Sequence, residues 1–130
     1  MNFPKLIQGK ILKRYKRFLA DVELADGRVV VAHCANSGRM TSCWQEGANV
    51  YLSYHDDPKR KLKYSWQLSE VGEALICVNT HLANKIVGEA LAEGKISELV
   101  GYDSIRPEVK YGEKSRIDFL LEKDGEKCYV

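Results

Sequence analysis

The stretch ILKRYKRFLADVELADGRVVVAHC, residues 11–34, decides the fold. From Phe18 its side chains alternate, with Phe18, Ala20, Val22 and Leu24 on one face and Asp21 and Glu23 on the other, which is the period of a half-buried strand. Asp26-Gly27 is a hairpin-turn dipeptide, and Arg28–Cys34 follows as a β-branched return strand. The pattern predicts one long strand over residues 11–24, paired with the return strand. Carried backwards, the parity puts Lys13, Tyr15 and Arg17 on the polar face, an aromatic ring between two cations. Arg14 and Lys16 then point towards the core, so a bulge or the end of burial is expected near Arg17.

Downstream, a Ser/Gly/Asn-containing loop at Asn36–Gly47 precedes short strands expected at 49–54, 63–68 and 73–78, with Trp44 and Trp66 expected in the core. Five short strands in such a length suggest a small closed antiparallel barrel, the OB-fold foremost. At Asn79 the period changes towards 3.6. Leu82, Ile86, Val87, Ala90 and Leu91 form a helical stripe that Asn79 or Thr80 caps and Gly94 ends. Strands are expected at 108–111, 116–122 and 127–130, the last two joined by Asp124-Gly125. The expected organisation is therefore an OB-like barrel over residues 1–80 and, over 81–130, a helix with a three-stranded antiparallel sheet. The last strand is short, so this second domain is expected to be incomplete. Its open edge at Cys128–Val130 would be covered by further chain or by a partner, such as a second copy in a homodimer.

Composition bounds the function. With 130 residues, 45% hydrophobic and 29% charged, the chain is a folded globular one, not a disordered or low-complexity one. Twenty basic residues against eighteen acidic give a net charge of only +2, but the distribution is uneven. Residues 1–78 hold twelve basic and eight acidic side chains, residues 79–130 eight and ten, and the first twenty residues hold no acid. No apolar run approaches the roughly 18–20 residues that cross a bilayer and no leader pattern opens the chain, so a cytoplasmic protein without a membrane partner is expected. Cys34, Cys43, Cys77 and Cys128 form no CxxC pair, which favours reduced thiols over zinc or disulfides.

Two groups of residues point to chemistry. Lys13, Tyr15 and Arg17, with Lys59, Arg60, Lys61 and Lys63 as a second wall, suit nucleic acid: cations follow phosphates and the ring stacks on a base. The competing reading is a solvated strand face. The loop His33–Met40 adds Arg39 and backbone amides that suit a phosphate, or is simply a turn using Asn36 and Gly38. His33 and Ser37 lack a third member for a nucleophilic triad. The second group centres on Asp118, an acid inside the apolar run Ile117–Leu121, which requires a partner. That partner is either a cation such as Arg116, Lys110 or Lys114, or a hard metal ion shared with another acid, Glu89 or Glu108 being nearest.

Four blocks in order, RYKRFLADV at 14–22, HCANSGRM at 33–40, CVNT at 77–80 and EVKYGEKSRIDF at 108–119, resemble the bacterial sugar fermentation stimulation protein family. The resemblance implies an N-terminal OB-fold domain, a C-terminal domain of the PD-(D/E)XK nuclease class, and DNA binding; the family name also suggests a regulator of sugar-metabolism genes. It implies that Lys13, Arg14, Lys16, Arg17 and Arg39 contact phosphates while Tyr15 stacks. Asp118 matches the first metal-binding acid, and Glu89 is a weaker candidate ligand on the preceding helix. The family's catalytic E-x-K would follow Val130, and Glu108-Val109-Lys110 matches an upstream family block and is a decoy for it. The expected function is phosphate-driven DNA binding with little sequence specificity. The alternative is a Mg²⁺-dependent nuclease in the complete protein, since this chain alone lacks the catalytic set.

Overall fold

A computed structural model describes residues 2–130 and divides the chain into two compact units, residues 2–81 and 82–130. In the first unit, β1 (Leu6–Tyr15), β2 (Leu19–Leu24), β3 (Val29–His33), β4 (Asn49–Tyr54) and β5 (Tyr64–Val71) form one sheet in the order β3-β2-β1-β4-β5. A parallel pairing of β3 with β5, Ala32 beside Tyr64 and His33 beside Ser65, closes the sheet into a five-stranded barrel. β6 (Ala74–Cys77) pairs with β5 outside the ring.

The single strand expected over 11–24 is two strands. A three-residue turn, Lys16–Phe18, breaks it, with Lys16 at φ 50° and Arg17 at φ 64°. These side chains disfavour positive φ, and a basic run carries no turn signal, so the alternation reads straight through. The expected count of five barrel strands is met differently: one expected strand is two, and the last lies outside the ring. The exposed turn 16–18 is the end of burial expected near Arg17, and a bulge falls in addition at Leu12, where the β1–β2 register shifts between Ile11 and Lys13. After that bulge Lys13 and Tyr15 lie opposite Asp21 and Leu19, while Arg14 lies opposite the fully buried Ala20.

Ile11, Ala20, Val22, Leu24, Ala32, Val50, Leu52 and Trp66 fill the barrel, with Cys34, Met40 and Val78 in the same cluster. Trp44 packs against this core half-buried. Phe18 is not part of the core: at the turn it stays 47% exposed. Gly9 lies between Leu24 of β2 and Val50 of β4, where a Cβ would stand 2.5 Å from Val22 Cγ1. A polar chain, buried at Ser53 and Gln67, crosses β4 and β5. The His81 amide donates to Asn79 Oδ1 (3.0 Å), Asn79 Nδ2 to Gln67 Oε1 (2.9 Å), and Gln67 Nε2 to Ser53 Oγ (2.9 Å). Ser53 Oγ lies 2.7 Å from His55 Nε2. Burial, and then the Arg60 charge, push His55 below its ordinary pKa and favour its neutral ring.

In the second unit, α1 (His81–Ala92) is followed by a 3₁₀ turn, Ser97–Leu99, and by β7 (Ser104–Tyr111), β8 (Ser115–Lys123) and β9 (Glu126–Tyr129) in sequential antiparallel order. Gly94 at φ 66° ends the helix, with bonds from its amide to Leu91 O and from Lys95 N to Ala90 O. Leu91, Phe119 and Leu121 form the core, and the Phe119 ring rests where a Gly88 Cβ would meet it at 3.3 Å. β7 begins four residues before the expected 108, running through Pro107, which an edge strand tolerates because no ladder amide is needed there. Of the expected helical stripe, Leu91 is buried and Ile86 is exposed.

Two predictions follow from this packing. Gly9→Ala overpacks the barrel and lowers unfolding free energy by about 1–3 kcal/mol in urea titrations, with the m-value unchanged. For His55, the unfolded chain takes up a proton near the ordinary value of about 6.5 before the folded chain does. The stability present above that pH is therefore lost as pH falls through and below it. Unfolding titrations at pH 7.5 and 5.5 should show this loss, and His55→Gln should shrink it.

Candidate functional site

Strand register brings three loops side by side. Leu19 opens β2 beside His33 at the end of β3, and His33 lies beside Ser65 at the start of β5. The turn 16–18, the loop after His33 and the loop 55–63 therefore emerge next to one another, although they are far apart in sequence. They carry Lys16, Arg17, Arg39, Lys59 and Lys61, all exposed. Among the described residues these five side chains have no ion-pair partner.

The other expected contacts are used differently. Arg14 turns into the end of the barrel, where Nη2 donates to Arg17 O, Asn36 O and Gly38 O, each at 2.8 Å, and Nη1 donates to Arg39 O at 3.1 Å. It ties the turn to the long loop and has little left for a ligand. Tyr15 donates its hydroxyl to Asp21 Oδ1 (2.9 Å), which pushes its pKa up. Lys13 Nζ stands 5.1 Å from the Tyr15 ring centroid and 3.7 Å from Asp21 Oδ2, so Lys13, Tyr15 and Asp21 satisfy one another. Arg60 donates to Leu62 O and to Ser65 Oγ (2.7 Å), and Lys63 Nζ to Asp57 O. His33 and Ser37 line one recess with no hydrogen bond between them among the described residues. Burial, then Arg60 and His81, lower the His33 pKa and keep the ring neutral at physiological pH.

In the second unit, among the described residues, Asp118 forms an ion pair with none of Arg116, Lys110 and Lys114. Asn84 Nδ2 on α1 donates to Asp118 Oδ1 (3.0 Å) and to Glu108 Oε1 (2.8 Å). Pairs 107–119 and 109–117 flank an unbroken register, so Glu108, one of the two acids expected nearest Asp118, falls opposite it. Glu108 has φ 54°, strained for a non-glycine in a strand. Pro107 and this kink hide the pairing from simple alternation. Among the described residues no three His, Cys, Asp or Glu side chains gather as an ion-holding group. No described helix is long and apolar enough to cross a membrane, and all four cysteines are free.

Comparison with known proteins agrees with this architecture. A model of the SfsA N-terminal OB domain matches residues 12–78, and one of the sugar fermentation stimulation protein RE domain matches residues 81–130. The homologue from Marinomonas sp. is 58% identical over all of this chain and 52% of its own length. That from Maricaulis maris is 59% identical over all of this chain and 56% of its own. The chain thus spans about half the length of the curated relatives it matches. The structure of Pyrococcus furiosus SfsA in complex with Ca²⁺ shares the fold at a TM-score of 0.83 and 24% identity, covering 99% of this chain and 54% of that one. The chain belongs to the sugar fermentation stimulation protein family.

Proposed function

We propose that this chain binds DNA through the cationic loops of its barrel, chiefly through phosphates and with little sequence specificity. The observation that carries this is the register of β2, β3 and β5, which collects Lys16, Arg17, Arg39, Lys59 and Lys61 as unpaired exposed cations on one surface. Such a surface releases counterions from DNA on binding, which makes affinity steeply salt-dependent. Arg14 positions the loops; Lys16, Arg17 and Arg39 contact phosphates. A cytoplasmic setting, where DNA and reduced thiols coexist, accords with the four free cysteines. Anisotropy titrations of duplex oligonucleotides over a salt series test the reading. Replacing Lys16, Arg17 and Arg39 together with Ala should flatten the log–log salt slope by about 2–3, near 0.9 per phosphate contact. Unchanged affinity and slope would overturn it.

A second reading concerns the complete protein: a divalent-metal-dependent nuclease with Asp118 and Glu108 as ligands. Two carboxylates directly opposite each other repel, and only the Asn84 amide lies between them. This oxygen-rich set suits a hard cation such as Mg²⁺. Asp118 and Glu108 would hold the ion, which when bound would polarise a phosphate oxygen and acidify a coordinated water. A relative of the same fold has been solved with Ca²⁺. Millimolar Ca²⁺ should raise the melting temperature of this chain and Asp118→Asn should abolish the rise; a wild-type chain indifferent to Ca²⁺ would refute the site.

A further inference from the structure

The DNA reading leaves open which form of DNA the surface prefers, and the turn 16–18 bears on this. Phe18 is a large apolar ring held 47% exposed between two strands, directly after two unpaired cations. Water opposes that exposure, yet the backbone that carries the ring is tied down by hydrogen bonds. Arg14 grips Arg17 O, the Phe18 amide donates to Lys16 O (2.8 Å), and Phe18 O accepts the Cys34 amide (2.8 Å).

The ring forms one wall of a recess of about 250 Å³, with His33, Ser37, Thr80 and His81 among the other walls. The walls are braced from behind. Asn36 Oδ1 accepts the Gly38 amide, Asn36 Nδ2 donates to Val78 O, and Thr80 Oγ1 donates to Ala35 O (2.7 Å). Among the described residues the Ser37 hydroxyl and the His33 and His81 rings carry no hydrogen bond, so donors and acceptors remain for a polar planar ligand. An aromatic face, free polar edges and cations alongside are the three elements of a single-strand binding subsite, in which a base stacks while the phosphates run past the basic groups. Tyr15, the ring that alternation offers for stacking, is engaged by Asp21 and Lys13.

We propose that Phe18 is the stacking platform for one unpaired base of a DNA strand and that the recess behind it makes the chain prefer single-stranded over duplex DNA. The inference rests on the DNA-binding reading and adds the substrate form and the residue that selects it. In a duplex the bases are stacked on each other, so the platform gains nothing there.

The test measures anisotropy with an oligothymidine of about 16 nucleotides, the upper site size of one OB fold, a duplex of equal length, and an abasic strand with the same phosphates. Wild type should favour the oligothymidine. Phe18→Ala should weaken it about 5- to 150-fold, the range for one stacked base, and leave the duplex, the abasic strand and the salt slope unchanged. Phe18→Trp should restore single-strand affinity. Because Phe18 lies outside the core, matched melting curves should show that the variants fold. Equal loss on all three ligands, no loss, or duplex preference in the wild type would overturn the inference while leaving phosphate-driven binding standing. No salt-dependent binding of wild type to any of the three would overturn the DNA reading itself, and the inference with it.

Discussion

The barrel surface depends on one guanidinium. Arg14 is carried inwards by the Leu12 bulge, and its two terminal nitrogens reach carbonyls from the turn 16–18 and from three positions of the loop 36–39. Neither segment has a ladder of its own, and without a donor its carbonyls would have to turn to water. A charged donor makes stronger bonds than a neutral one, about 1.5–3 kcal/mol net each in favourable cases, and these bonds share one side chain, so they form or fail together. Arg14 Nε is buried without a hydrogen-bond partner, a cost borne within a larger gain. The residue that looks like one more cation of a basic run thus sets the positions of Lys16, Arg17, Phe18 and Arg39.

Barrel closure supplies the second constraint. Only two residue pairs join β3 to β5, yet they bring the loop 55–63 beside the turn 16–18. The Arg60 guanidinium bonds Ser65 in that seam, and burial first, with the Arg60 charge second, lowers the pKa of both His33 and His55. The polar chain from His55 through Ser53, Gln67 and Asn79 to the His81 amide fastens the loop to the chain's exit from the barrel. Buried side chains of this kind specify one arrangement because each has a single satisfied alternative.

What could be read in the sequence follows the same physics. Ala20, Val22 and Leu24 alternate because one face meets the core, and Asp26-Gly27 and Gly94 mark a turn and a helix end because backbone geometry there favours those residues. The turn at Lys16-Arg17 was not legible: its positive φ angles are maintained by Arg14, a contact with no local signature. For that reason Phe18 reads as a core residue when it is a surface ring. Asp118 stood out as an acid in an apolar strand, whereas Glu108 did not, because Pro107 and a left-handed residue conceal that β7 already runs there.

The two proposed sites differ in their electrostatics. Unpaired lysines and arginines on the barrel attract phosphate at a distance, and salt screens that attraction. Glu108 and Asp118 repel it. A carboxylate pair can approach a phosphodiester only when a cation lies between them, so any role of this pair in nucleic-acid chemistry is conditional on a metal in a way that binding by the barrel is not. The Asn84 amide can hold the two carboxylates together by hydrogen bonding but contributes no net charge to offset theirs. On the proposed readings, phosphate binding and metal dependence are therefore separable, carried by different units and different residues.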